Sequence, residues 1–253
     1  MNKHDLLTRH DYERRWLATP GYEHEAGEVI SRDISINPMW RSSITWAHFA
    51  PEMAGEVIAA EVAYFAERER AFEWKVFGHD HPPYLCDHLA AVGFGVGPEM
   101  AFMVLDTWSP AADRWRAPIQ KEVCKVDNYA ALDDYVAVEQ AVWEEAERQR
   151  WLALLHNAPE YTSLYVAYVD GVPASCARAS FHPESAFCGL WGGATQTQYR
   201  SQGFYTTLVA ARIHEAISRG VRFITIEAAP SSRPILERRG FEVLDTVYLC
   251  RPL

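Results

Sequence analysis

Residues 192–208 constrain this chain more than any other stretch. They read Gly-Gly-Ala-Thr-Gln-Thr-Gln-Tyr-Arg-Ser-Gln-Gly-Phe-Tyr-Thr-Thr-Leu, a strand ending, a loop of small and polar residues, and a helix start. Such a junction aims several unbonded N–H groups and the positive end of a helix dipole at one spot. An anion, above all a pyrophosphate, is the natural occupant. Gly203 has no Cβ, so a phosphate can come close to the backbone, and Arg200 adds charge. Two familiar phosphate loops do not fit. There is no Gly-Lys-Ser/Thr ending, and no set of three spaced glycines followed by an acidic ribose ligand.

The rest of the chain places this loop in an α/β pattern. Alternating polarity around Asn37-Pro38 predicts a hairpin, and Pro51 opens a helix with Ala54, Val57, Ile58, Val62 and Phe65 on one face. Strands are predicted at 72–77 and 101–105, with a short helix from Pro82-Pro83 to Ala91 between them. In the second half, 121–126 reads as a strand. Asn128 then caps a helix carrying Leu132, Tyr135, Val136, Val142 and Trp143 inward. Strands at 163–169 and up to Phe181 flank an Asp170-Gly171 turn, and a third covers 186–195. A helix over 204–219 stops at Gly220. A strand at 222–227, a short helix over 234–239 and a last strand to Cys250 follow.

The two halves echo each other. Each has a long helix, a strand, a short helix, and a Gly-Phe pair entering another strand: Gly93-Phe94 and Gly240-Phe241. Duplication of one α/β domain is the preferred account, and chance agreement of two ordinary α/β stretches is the alternative. The proline-bearing stretch Thr107–Pro118 is the best linker, which divides the chain into 1–110, a linker at 111–120, and 121–253.

Arg200-Ser201-Gln202-Gly203-Phe204-Tyr205 resembles the R/Q-x-x-G-x-G/A loop of the GNAT superfamily of N-acetyltransferases. Ile235 to Phe241 stands at the proper distance beyond it, and the resemblance covers roughly 123–249. It implies an α+β fold: a mixed, mostly antiparallel sheet flanked by helices. The first half then resembles the degenerate copy of tandem members. Where its cofactor loop belongs it reads Trp46-Ala47-His48-Phe49-Ala50, without glycine or arginine.

The resemblance further implies an acyl-coenzyme A donor, most simply acetyl-CoA, and direct attack by a small-molecule amine. Ala194 and Thr195 would pair with the pantetheine arm. The backbone from Arg200 through Ser201, Gln202, Gly203, Phe204 and Tyr205 would hold the pyrophosphate, with Gln196 and Thr197 also among the cofactor-binding residues. Ser231 or Ser232 stands where many members place a pantetheine-binding asparagine. Two positions depart from the pattern. Tyr205 replaces the second small residue of the loop, and Leu236 replaces the tyrosine that often protonates the leaving thiolate. The alternative is therefore a non-catalytic acyl-CoA-binding module that has lost its proton-transfer groups.

Glu227 is the candidate base, or else a strand-end carboxylate that caps a turn or pairs with an arginine. Tyr205 is a candidate donor or a packing aromatic. Trp191 lines the acceptor cleft or simply packs, and Glu73 and Trp74 face a cleft or belong to a core strand. His79-Asp80-His81 with His88 lacks a completing ligand, so no metal is expected.

The formal charge of −10 argues against a nucleic-acid backbone as the main partner and mildly favours a cationic acceptor. No apolar run approaches a membrane span, and the polar start Met1-Asn2-Lys3-His4-Asp5 carries no signal-peptide core. With five cysteines and no CxxC spacing, reduced thiols and a cytoplasmic protein are expected. Monomer and homodimer both remain open.

Overall fold

The computed structural model describes residues 1–144 and 147–253. The chain runs α1 (Lys3–Trp16), β1 (Tyr22–Ala26), β2 (Ile30–Ser35), β3 (Ser42–Ala47), α2 (Ala54–Glu67) and β4 (Phe72–Phe77). Next come α3 (Leu85–Ala91), β5 (Phe94–Val96), β6 (Met100–Asp106), β7 (Val123–Lys125), α4 (Tyr129–Trp143) and α5 (Arg148–Asn157). It continues with β8 (Thr162–Val169), β9 (Val172–Phe181), β10 (Phe187–Thr195) and α6 (Phe204–Ser218). β11 (Phe223–Ala228), α7 (Arg233–Glu237) and β12 (Glu242–Pro252) close it. These form two compact units. One comprises Met1–Met103, Glu227–Pro234 and Val243–Leu253, the other Val104–Ile226 and Ile235–Glu242.

The expected break at 111–120 is not where the units divide. Residues 110–115 form a 3-10 helix that buries Ala112 and Trp115 in the second unit. The Trp115 indole N–H donates to the Arg239 carbonyl at 2.9 Å, and its ring meets Phe241 edge-on. Proline and serine signalled irregular backbone there, but one tryptophan makes that backbone part of the core. The C-terminal boundary shifts as well. The last strand, β12, lies antiparallel to β4 and β5, so its pairing partners belong to the first unit.

Each unit carries the same local topology. In the first, β1, β2 and β3 are consecutive antiparallel neighbours, and β4 lies parallel to β3 after the α2 crossover. In the second, β8, β9 and β10 repeat that order, and β11 lies parallel to β10 after α6. Even the Gly-Phe turns agree: Gly93 and Gly240 both take φ of +94°.

The packing follows from strand alternation. On the sheet of the second unit, Leu164, Val166 and Cys176 face Leu132, Tyr135, Val138 and Trp151 of α4 and α5. Tyr165, Ala167, Ala174 and Ala177 face Phe204, Leu208 and Ala211 on the opposite side. Asn128 starts α4 by accepting from the Ala131 N–H at 2.9 Å, as its sequence position suggested. The β8–β9 hairpin closes through Asp170 and Gly171, both at positive φ. In the first unit, Ile44, Ile58, Phe65, Phe72, Trp74 and Leu89 form the core. No helix among the described residues is long and apolar enough to cross a membrane.

Candidate functional site

The site lies in the second unit, at the C-terminal end of β10. The parallel ladder between β10 and β11 runs from Phe187↔Phe223 to Leu190↔Ile226 and stops there. On its other edge, β10 stays with β9, but the register shifts between Trp191↔Arg178 and Ala194↔Cys176. Gly192 and Gly193 form this bulge, with Gly192 at φ of +57°. A strand that bulges on one edge and leaves its neighbour on the other has main-chain groups to offer a ligand. Thr195 is steadied by Ser175, whose Oγ bonds the Ala194 carbonyl at 2.6 Å and the Thr195 hydroxyl at 2.8 Å.

The loop then wraps on itself. Gln196 donates through its backbone to Ala174 and through its side chain to the Pro173 carbonyl. Thr197–Tyr199 is a 3-10 turn, and the Arg200 Nε returns to the Thr195 carbonyl at 3.2 Å. The Gln202 amide bonds the Gln198 carbonyl at 3.1 Å. Ser201 and Gly203 take positive φ, +61° and +84°, turning the chain into α6. No side chain caps this helix. The N–H groups of its first turn are therefore presented outward, with the helix dipole behind them. The Phe204 side chain is buried beneath, so this residue offers a ligand only its backbone.

Three neighbours of the loop escaped the sequence reading. Lys121 lies beside it, with Nζ 4.4 Å from the centre of the Phe204 ring. Its side chain sits 3.9 Å from where a Gly203 Cβ would be, adding a cation to the helix start. Arg212 of α6 is wholly buried and donates to the carbonyls of Leu208, Arg178 and Trp191 at 2.9–3.2 Å. Burial pushes its pKa down to about 10. Arg178 and Trp191 are the last regular pair before the bulge, so Arg212 pins the strands where the slot opens. An arginine within an apolar helix stripe was the available signal. The third is Arg178, whose guanidinium lies over the Trp151 ring at 4.7 Å and against Gly192.

The expected site residues separate into two groups. Ala194, Thr195, Gln196, Thr197 and 200–205 come together in this loop. The Tyr205 ring packs toward Gly193, about 3.5 Å from where a Cβ there would stand. Trp191 lies back over Gly189, and its indole donates to Ser180 at 2.8 Å. The remaining residues fall in the first unit. Glu227 accepts from the Lys75 ammonium at 2.8 Å, an ion pair of the kind given as the alternative to its role as base, with lysine in place of arginine. Glu73 pairs with Arg251 at 2.9 Å. Trp74 is wholly buried in the first unit's core, which corrects its assignment to a substrate surface. Ser232 turns its hydroxyl to the Ala229 carbonyl at 3.1 Å, closing the turn that holds Ser231.

Other reactive side chains are masked by packing. Burial pushes the Cys176 and Cys188 thiols well up, leaving them protonated and unreactive. Leu236 is wholly buried. Among the described residues, no group of three or more His, Cys, Asp or Glu side chains could hold a metal ion.

This strand-bulge, loop and uncapped helix coincide with a match to a known family. Residues 128–241 match the model of the acetyltransferase (GNAT) family. No curated protein matches the chain. Among solved structures, a GCN5-related N-acetyltransferase from Kribbella flavida superposes with a TM-score of 0.69 at 15% identity. That match covers 92% of this chain and 90% of the other. A conserved protein of unknown function from Staphylococcus epidermidis ATCC 12228 has a TM-score of 0.63 at 12% identity, covering 90% and 93%. A tandem GNAT protein from the clavulanic acid biosynthesis pathway reaches 0.60 at 15% identity, covering 95% and 86%. Residues 128–241 thus match the acetyltransferase (GNAT) family model, and the chain has the fold of a tandem GNAT protein.

Proposed function

We propose that the protein transfers an acetyl group from acetyl-CoA to the amine of a small molecule by direct attack. The uncapped start of α6 behind Gly203 carries this reading, because it is built to receive a pyrophosphate. The backbone of 200–205 would hold that group with help from Lys121. The edge of β10 from Ala194 to Thr195, past the end of the β11 ladder, would take the pantetheine arm. Main-chain N–H groups at the Gly192–Gly193 bulge would stabilise the oxyanion as the amine attacks. Glu227, the residue after the last laddered position of β11, remains the candidate base, sharing its carboxylate with Lys75.

Leu236 favours a second reading, a module that binds acyl-CoA without turnover, since a buried leucine cannot protonate a thiolate. Positioning alone can supply much of the rate, which keeps the enzyme reading ahead. Free thiols and the absence of a spanning helix among the described residues suit a cytoplasmic setting.

Calorimetric titration with acetyl-CoA, followed by thiol release against a panel of amines, decides the matter. One donor bound per chain is expected, because the first unit's corresponding helix opens through Pro51, which has no N–H to offer. Thiol release that depends on an added amine supports the enzyme. Binding without release on any amine supports the module, and absence of binding defeats both.

A further inference from the structure

Among the described residues Arg178 forms no direct ion pair, and it stands at the Gly192 bulge with the Glu139 carboxylate farther off. Four other arginines of the same unit have acidic partners. Arg148 lies on Asp133, Arg150 on Glu147, Arg219 on Glu215 and Arg222 on Asp106, each within 2.9 Å. Arg178 projects from β9 on the face covered by α4 and α5, where its guanidinium rests on the Trp151 ring. The Trp151 indole N–H donates to the buried Glu139 carboxylate at 2.6 Å, fixing the ring and with it the plane of the guanidinium. The other side of Arg178 meets Gly192, where any Cβ would collide with Nη1. Trp143 stands 3.6 Å from that same position and is 43% exposed. Tyr135, wholly buried and electrostatically coupled to Arg178, has a hydroxyl with no hydrogen-bond partner among the described residues.

A guanidinium stacked on one face, with no direct carboxylate contact among the described residues, is a donor open to an acceptor group. The planar fork matches a carboxylate. Glu139, behind Trp151, already offsets part of the positive charge, so the arrangement suits a single negative charge better than a dianion.

We infer that Arg178 binds a carboxylate of the acceptor, so that the amine acetylated is that of an amino acid or a related amino-carboxylic acid. The inference rests on the acetyltransferase reading and adds the acceptor class to it. The carboxylate lies on the Arg178 guanidinium. The amine is left to point along the bulge toward the thioester. Its nitrogen forms the new bond to the acyl carbon, the C–S bond breaks, and coenzyme A departs as the thiol once the amine's proton is released.

The experiment uses the full chain with acetyl-CoA and the twenty standard amino acids, each beside its decarboxylated amine and with an amino-phosphate compound included. Thiol release gives kcat and KM, and calorimetry on the CoA complex gives acceptor binding whether or not turnover occurs. Acids should be preferred to their decarboxylated partners, and Arg178→Gln should abolish that preference. The variant should raise KM for the acid by about ten- to a hundredfold with little change in kcat, as loss of a charge-assisted hydrogen bond predicts. Arg178→Lys should fall between, and both variants should bind acetyl-CoA as the parent does.

Equal use of amines lacking the carboxylate overturns the inference, and so does preference for the phosphate compound. An Arg178→Gln variant that loses kcat alike on acids and plain amines also overturns it, because the arginine would then serve the transition state. Absence of amino-acid binding to a chain that does bind acetyl-CoA defeats the carboxylate site alone. Failure to bind acetyl-CoA defeats the underlying reading as well.

Discussion

Gly203 combines a conformation and a gap. At φ of +84°, an L side chain is strained by roughly 1–2 kcal/mol, and the missing Cβ lets an anion approach the helix start. A Cβ added there would meet no protein atom closer than 3.8 Å, so the neighbours do not forbid it. Gly203→Val should therefore weaken acetyl-CoA binding about tenfold or more by calorimetry, while the unfolding midpoint falls only modestly. A large stability loss with unchanged donor affinity would show that the residue serves the turn alone. The sequence disclosed this glycine because loop chemistry is local. It did not disclose Lys121, which lies more than eighty residues earlier in the chain and reaches the loop only through packing.

Among the elements, α6 does two things at once. Its start presents N–H groups, and about two turns further its buried Arg212 fixes the end of the regular β9–β10 pairing. Arg212→Met should cost about 1–3 kcal/mol in urea unfolding, because buried carbonyls lose a charged donor. Arg212→Lys should cost at least as much. An ammonium there is still desolvated, yet lacks the fork that serves Leu208 through Nε while Nη1 serves Arg178 and Trp191. The reverse order, with lysine well tolerated, would mean that charge rather than geometry matters at this position. Helix α5 shows the limit of reading elements from sequence. Residues 148–157 bury fully only Trp151, so they show little apolar periodicity, although that one side chain organises the α4–α5 face. Strand β1 was missed for a similar reason, since none of its five residues is fully buried.

At the scale of the whole molecule, distant segments close the first unit on itself. His79, just after β4, donates to Asp11 of α1 at 2.8 Å and to Asp245 of β12, while Arg14 of α1 pairs with Asp80. Burial works against the His79 charge, but hydrogen bonds to Asp11 and Asp245 push its pKa up to about 9. The folded protein thus holds this proton more tightly than the unfolded chain does. The stabilisation is complete below about pH 6.5 and is lost as the pH rises through about 9. Thermal unfolding should show a lower midpoint at pH 10 than at pH 7, and His79→Gln should flatten that difference. An unchanged slope in the variant would place the pH dependence elsewhere. The His79-Asp80-His81 run drew notice in the sequence as a ligand set. Its partners, 68 and 166 residues away, make it an ion-pair network that joins both ends of the chain.

The sequence by itself determined what depends on neighbours along the chain. The anion-receiving loop before α6, the Asn128 cap, the Asp170-Gly171 turn and the repeated order of strands and helices all follow from short-range chemistry. Tertiary structure alone decided what depends on side chains meeting across elements. It packed 110–115 around Trp115 and gave the last strand to the first unit. It also buried Trp74, engaged Glu227 with Lys75, and set Arg178 on Trp151 beside the bulge. The physical reason is that local spacing fixes backbone direction and hydrogen-bond supply. Which face of which strand a side chain shares is fixed only when the sheet and its helices pack.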